Sequence, residues 1–384
     1  MIYWTNYMSQ PLSYIEISRE NLVHNVKQFR GLISKKTKIA GVIKANAYGH
    51  GQNEVAEAIL PYVDYFIVNH VDELELLRKL TKKQTFVFGY VQEADIAHAS
   101  KLGCVIGVFS LEQARAIDAI SAKKKTIQEI HLAIDAHLGR EGVMVGELHT
   151  ALLELKKLKH IRMTGMYAHF ANIEDTTNLS FAKKQIQTFD KALRIAKKMG
   201  YTKLQTHISA TSGVLAYEQK KGIHAIARIG IGLYGMWPSE HLEFLYEKKK
   251  FKLRPVLSWK THVALVKMLP PGHTVGYGLT YMTRRLTKIA LIPQGYSDGL
   301  PRSLSNKGMV LIGGKRCKII GRVAMNMFVV DVTHVPQVKI EDEVVIIGQQ
   351  GDEQITSEQF AETIDTINYE VTTRISPLLK RILI

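Results

Sequence analysis

Eight short apolar runs, at residues 38–43, 64–69, 85–89, 104–109, 129–134, 162–168, 203–208 and 225–229, recur at a spacing that leaves room for helices between them. Helical segments are read among them at 52–60, 72–81, 111–120, 147–157 and 180–199. The runs look like strands buried on both faces, as parallel strands covered by helices are. Eight strand–helix units in about 225 residues are the arithmetic of an α/β fold of the TIM-type (β/α)8 class. An open, doubly wound sheet is the alternative, because a strand count does not by itself close a barrel. Ahead of the first unit, residues 14–17 (YIEI) alternate as a strand does. Ser18 then caps a helix whose apolar face is Leu22, Val26, Phe29 and Ile33.

The pattern changes after Gly235. Residues 237–250 are polar and basic and mark a domain boundary. Beyond them the strands alternate and crowd together, at 256–268, 287–292, 308–313, 316–321, 327–333 and 343–348, with one convincing helix at 357–366. The expectation is a barrel over 18–243 followed by a mostly antiparallel β domain over 244–384, with the N-terminal strand segment 1–17 packing on the latter.

Composition narrows the function. Apolar residues make up 46% and charged residues 22%, so the chain can build a core and is not a disordered segment. No uncharged apolar stretch approaches the roughly 18 residues of a membrane span, and the N-terminus lacks a basic segment followed by an apolar one. No membrane partner and no secretory signal are expected. Cys104 and Cys317 stand alone, which points to a reducing, cytoplasmic compartment and to neither a disulfide framework nor a metal site. Lys+Arg 51 against Asp+Glu 35 gives a net charge of +16. Its lysine runs, such as 123–125 and 248–250, are scattered and not interleaved with aromatics, so they describe a solvated basic surface and no nucleic-acid partner.

In the segment 41–51 (GVIKANAYGHG), Lys44 ends an apolar strand, and the C-terminal strand ends are where barrels place their chemistry. A lysine there has a depressed pKa and is a usable amine nucleophile, or else it simply snorkels out to solvent. Two further loops follow the seventh and eighth runs, where barrels hold phosphate: 207–213 (HISATSG) and 228–235 (RIGIGLYG). Hydroxyls and glycine amides are suitable phosphate donors.

The string KANAYGHG resembles the cofactor-lysine motif of the alanine racemase family, barrel enzymes that use pyridoxal 5'-phosphate. The resemblance runs in order along nearly the whole chain. It implies that Lys44 carries the cofactor, that Tyr48, Thr211, Gly230, Ile231 and Tyr369 (in Asn368-Tyr369-Glu370) hold its phosphate, and that Arg228 faces the pyridine nitrogen. An arginine stays protonated and leaves that nitrogen without a proton. The ring is then a weaker electron sink, which suits removal and return of a proton over transamination. Inversion at Cα needs proton donors and acceptors on both faces. The segment 275–278 (VGYG) resembles the family string that supplies Tyr277 as the second base, linked through His169 to Arg228. Arg140, in Leu138-Gly139-Arg140, is implied as the carboxylate ligand, with the amide of Met325 in 321–326 (GRVAMN). Tyr296 and Arg302, from 295–302, and Arg322 line the entrance. The implied activity interconverts L- and D-alanine and supplies D-alanine for peptidoglycan, on a homodimer with shared sites. A broader racemase that accepts serine, or a barrel that binds the cofactor without catalysis, are the alternatives.

Three positions depart from the family pattern: Ala133, where many members carry a carbamylated lysine beside the arginine, Ala210 in place of an asparagine, and Asn326 in place of an aspartate. With Ala133 unable to carry charge, a small anion such as chloride, or an ordered water, is expected beside Arg140.

Overall fold

The computed structural model describes residues 11–174, 177–218 and 224–384. The first ten residues of the segment read as an N-terminal strand therefore lie outside the described residues. The described residues divide into two compact units, the first within 20–48 and 55–254, the second within 11–19, 49–54 and 255–384.

The first unit is the barrel. Its strands are β1 (Lys38–Val42), β2 (Tyr65–Val68), β3 (Thr85–Val87), β4 (Val105–Val108), β5 (Gln128–Asp135), β6 (Ile161–Tyr167), β7 (Gln205–His207) and β8 (Ile226–Ile229). From β1 to β7 each strand is hydrogen-bonded in parallel to the next, and β8 pairs with β1. The remaining gap, between β7 and β8, is bridged by Ala225 N–H to Thr206 O at 2.9 Å and Arg228 N–H to Ser209 O at 3.1 Å. The sheet is thus a closed barrel and not the open alternative. Helices alternate with the strands, including Glu93–Leu102, which the sequence reading did not single out.

Inside, Ala40, Val42, Ile67, Phe86, Val105 and Ile226 form one apolar cluster. One layer of the interior departs from this pattern. Phe86, His131 and His207, from the odd strands β3, β5 and β7, meet with ring centroids 4.8–6.0 Å apart. Bulky aliphatic residues dominate such layers. Two buried imidazoles in their place form a polar column that must be hydrogen-bonded to be tolerated.

The polar stretch 237–250 is more structured than its composition indicates. Ser239 accepts a hydrogen bond from Leu242 N–H and caps the helix Glu240–Tyr246, whose Leu242 and Tyr246 are buried. Tyr246 donates to Leu215 O at 2.8 Å, and the barrel unit continues to Arg254.

The second unit is a mostly antiparallel sheet in the order 265–269, 287–292, 328–331, 315–320, 309–312, 343–350, 257–262, 14–17, 380–383. Among the described residues of this unit, only Tyr14–Ile17 and Lys380–Leu383 pair in parallel. Trp259 is fully buried, and its indole N–H donates to Gln294 at 2.9 Å. Two helices close the unit, Ser357–Thr363 and Asn368–Thr373, where the sequence reading held only one. The second is short and carries two threonines and a valine, residues of low helix propensity. No helix among the described residues is long and apolar enough to cross a membrane.

Candidate active site

The C-terminal ends of the barrel strands bring Lys44, Tyr48, Arg140, His169, Thr211, Arg228, Gly230 and Ile231 into one unit. Tyr277, Tyr296, Arg302, Arg322, Met325 and Tyr369 belong to the other.

Lys44 follows β1 directly. The chain turns there in an uncommon way: Ala45, Asn46, Ala47 and Tyr48 all have φ between 52° and 55°. Left-handed backbone costs roughly 1–2 kcal/mol for each residue with a Cβ. Gly49 and Gly51, with φ of 82° and 100°, follow this turn. It is held by Ala45 N–H donating to Glu73 Oε1 at 2.6 Å and Ala47 N–H to Ile43 O at 2.9 Å. Such strain persists only where surrounding contacts impose it, and it clusters at functional sites. Lys44 is open to solvent at the barrel mouth. The crowded strand ends still desolvate its ammonium and lower its pKa, with Arg140 and Arg228 adding to the effect and Glu73 and Glu141 opposing it.

Tyr48 packs its ring 5.0 Å from that of Tyr234, whose hydroxyl donates to Val42 O at 2.6 Å. Burial pushes the Tyr48 phenol up to about 12, so it stays a proton donor. A Cβ at Gly230 would lie 2.7 Å from the Tyr48 hydroxyl, so only glycine lets the loop approach that closely. Thr211 Oγ1 accepts from Gly230 N–H at 3.1 Å and from Gly232 N–H at 3.3 Å. With both acceptor directions used, its own proton is left to donate. A tyrosine hydroxyl, a threonine hydroxyl and glycine amides gathered at the strand ends form a donor set that fits a phosphate monoester, and Lys44 lies on the same rim.

Arg228 is 6% exposed and donates to His207 Nδ1 at 2.6 Å, His169 Nδ1 at 3.0 Å, Ala168 O at 2.9 Å, Ile208 O at 3.0 Å and His207 O at 3.2 Å. Burial and the arginine beside it hold His169 down at about 3, so its imidazole is neutral.

Arg140 is paired with a side chain at the place where a small anion or an ordered water was expected. Glu141 takes that place: its carboxylate accepts from Arg140 Nε, and from Nη2 at 2.8 Å. Nothing in the residue pattern marked Glu141, because it is the neighbour in sequence of the arginine it pairs with. His207 and His131 were likewise missed as partners of the site: His131 Nδ1 and His207 Nε2 are 2.9 Å apart, joined across 76 positions of sequence.

In the β unit, Tyr277 opens a one-turn 3-10 helix, Tyr277–Leu279, and is 73% exposed. Arg322 packs against Gly278 of the same turn. The loops of Tyr296 and Met325 are tied together. Tyr296 N–H donates to Ala324 O at 3.1 Å, Ser297 Oγ to Met325 O at 2.8 Å, and Asn326 Nδ2 to Ser297 Oγ at 2.8 Å. The departure at Asn326 therefore supports the loop that carries Met325. Arg302 is exposed on the short helix Arg302–Leu304, and Tyr369 is half-buried on Asn368–Thr373.

Residues 17–238 match the family model for the alanine racemase N-terminal domain, and residues 256–383 the C-terminal domain. An alanine racemase of Leptospira interrogans is 36% identical over 97% of this chain and 96% of its own length. An "alanine racemase 2" of Caldanaerobacter subterraneus is 35% identical over 96% and 94%. Among solved structures, the alanine racemase of Bacillus anthracis with bound L-Ala-P superposes with a TM-score of 0.90 at 31% identity, over 98% of this chain and 96% of that one. The enzyme of Clostridium difficile gives a TM-score of 0.90 at 30% identity, over the same shares.

Proposed function

The chain belongs to the alanine racemase family, and from that premise we propose that it interconverts L- and D-alanine with pyridoxal 5'-phosphate as cofactor. The observation that carries the reading is Arg228, a permanently charged guanidinium fixed on the barrel floor by two neutral imidazoles and three carbonyls. A group so held stays protonated and does not donate its proton onward. It favours chemistry in which a proton leaves a carbon and returns to the same carbon.

Tyr48, Thr211, Gly230, Ile231 and Tyr369 hold the cofactor's phosphate, and Lys44 holds its reactive end. When bound, the cofactor supplies the electron sink that acidifies the substrate Cα–H. Lys44, with its lowered pKa, moves a proton at Cα on one face. Tyr277 moves a proton on the other, tuned through His169 and Arg228. Arg140 and the Met325 amide fix the substrate carboxylate, which sets the face presented to each base. Tyr296, Arg302 and Arg322 narrow the entrance and limit water. Tyr277 is supplied by a second copy of the chain in a head-to-tail homodimer, so each site draws on two subunits. The two free, buried cysteines suit a cytoplasmic enzyme.

The test is direct. Protein purified with the cofactor is given L-alanine, and D-alanine is read with a D-amino-acid oxidase couple, with L-serine run beside it to measure breadth. A visible cofactor band removed by borohydride reports the lysine link. No D-alanine above the Lys44→Ala background ends the proposal.

A further inference from the structure

We propose that Glu141 is the positioning residue that orients Arg140 for the substrate carboxylate. The proposal rests on the racemase reading above and deepens it. Its first support is the turn that follows β5. Asp135 Oδ1 accepts from Leu138 N–H at 2.9 Å and Gly139 N–H at 3.1 Å, which coils the chain immediately after the strand. Gly142 then returns with φ 112°, and a Cβ there would lie 2.6 Å from Asp135 N. Between these two fixed points Glu141 is folded back toward the strand end. Ala133 is buried there and offers only a methyl group, so that position supplies no charge.

The second support is the geometry of the pair. Nε and Nη2 form one edge of the guanidinium, and Glu141 engages both. Bidentate contact fixes the plane of the guanidinium as well as its place. A guanidinium has five N–H donors, so Nη1 and the second proton of Nη2 remain for another carboxylate. The pair is also asymmetric: the Glu141 side chain is 22% exposed, that of Arg140 65%. The carboxylate is the inner, anchored member, and the arginine presents its outer edge. An ordinary surface ion pair has both members in water and contributes little. The recess beneath is lined by Ala133, Glu141, Tyr167 and His169, which ties Glu141 to the strand ends that carry the site. Arg140 holds the Glu141 carboxylate below its ordinary range, so the anchor stays charged at working pH.

Glu141→Ala, Glu141→Gln and Glu141→Asp are compared with the wild-type holoenzyme. Loss of the anchor is expected to raise KM for alanine about tenfold or more in the Ala and Gln variants, with kcat changed much less. Asp restores part of the loss, and formate restores several-fold activity in Glu141→Ala while leaving the wild type unchanged. Wild-type rates are equal in chloride and in a bulky organic anion at matched ionic strength, because the carboxylate already fills the role of an anion. A readout independent of turnover is hydrogen exchange at Arg140 Nε–H, assigned with Arg140→Lys: slow in wild type, fast in Glu141→Gln. If wild type makes no D-alanine, the functional reading fails, and the exchange measurement alone decides whether Glu141 holds Arg140. KM within twofold of wild type in both uncharged variants, or unchanged Nε–H exchange, overturns the proposal. Should Glu141→Ala not fold, the isosteric Glu141→Gln carries the same comparison.

Discussion

Arg228 Nη1 lies 2.6 Å from His207 Nδ1, and this one contact sets the protons of a buried chain. Arginine only donates, so His207 Nδ1 accepts and its proton sits on Nε2. His207 Nε2 is 2.9 Å from His131 Nδ1, which must accept in turn and leave the His131 proton on its own Nε2. That last atom is buried with no partner. On the other branch, Arg228 Nη2 fixes His169 Nδ1 as an acceptor, so the His169 proton is carried by Nε2. A neutral His169 with that tautomer donates from Nε2, the polarity that favours an ionised phenol over a neutral one.

These imidazoles make stability depend on pH. A further buried imidazole, His224, has its Nδ1 3.3 Å from Thr206 Oγ1 of β7. Burial holds His131 at about 3 and His224 at about 4, and it holds His207 well below its ordinary value, with Arg228 lowering the last two further. All three are neutral when folded and titrate near 6.5 when unfolded. Their contribution is therefore complete above about pH 6.5 and is lost as pH falls toward the folded values, by up to about 1.4 kcal/mol per imidazole per pH unit. Melting curves at pH 7.5 and 5.5 should differ by roughly 10 °C for a unit of this size. Equal midpoints would contradict the neutral, buried assignment.

Lys44→Ala should lower racemisation by about 10³-fold or more and abolish the borohydride-sensitive band, because no other amine follows β1 at the barrel mouth. The variant should still fold, since the left-handed turn is held by Glu73 and by backbone contacts and not by the ammonium. Retention of both activity and the band would remove Lys44 from its role.

Gly230→Ala tests the phosphate loop. The new methyl carbon would meet the Tyr48 hydroxyl at 2.7 Å and its ring carbon at 3.3 Å, so either the tyrosine or the loop must move. Cofactor affinity, titrated by absorbance, should fall about tenfold or more. An unchanged dissociation constant would mean that Tyr48 and Gly230 do not share a ligand.

The barrel strands were legible because burial on both faces leaves unbroken apolar runs, and β1 to β8 fall within or close to the runs read. The helix Glu240–Tyr246 was not, because its polar face dominates the composition and only Leu242 and Tyr246 are fully buried. Strand Lys380–Leu383 was missed for a similar reason: Lys380 and Arg381 begin it, and Arg381 is nearly buried by donating to Gly49 O at 2.9 Å and Ser376 O at 2.6 Å. Its place at a strand end identified Lys44 as a site candidate, and the family resemblance identified Arg140 and Arg228. Their partners were not legible, because pairing of Arg140 with Glu141 depends on the turn at Gly142, and that of His131 with His207 on which residues of β5 and β7 face inward.

Mixing inactive Lys44→Ala with inactive Tyr277→Ala protein should restore activity, since a heterodimer would hold one site with both bases intact. Tyr277 is 73% exposed on a single chain, with Leu279 at 69% and Met282 at 57%, an apolar surface suited to cover by a second copy. With random exchange, about a quarter of all sites regain both bases. No recovery after verified subunit exchange would argue against a shared site.

The β unit is assembled from three stretches of chain, and its strand Tyr14–Ile17 lies between 257–262 and 380–383. During synthesis that strand leaves the ribosome about 240 residues before its first neighbour, a delay of roughly 12–50 s at ordinary elongation rates. The whole barrel is translated in the interval, while Ile15 and Ile17 have no sheet to enter. A nascent chain stalled between the two units would display a finished barrel with a bare apolar strand ahead of it, a substrate for chaperones or for pairing with another chain.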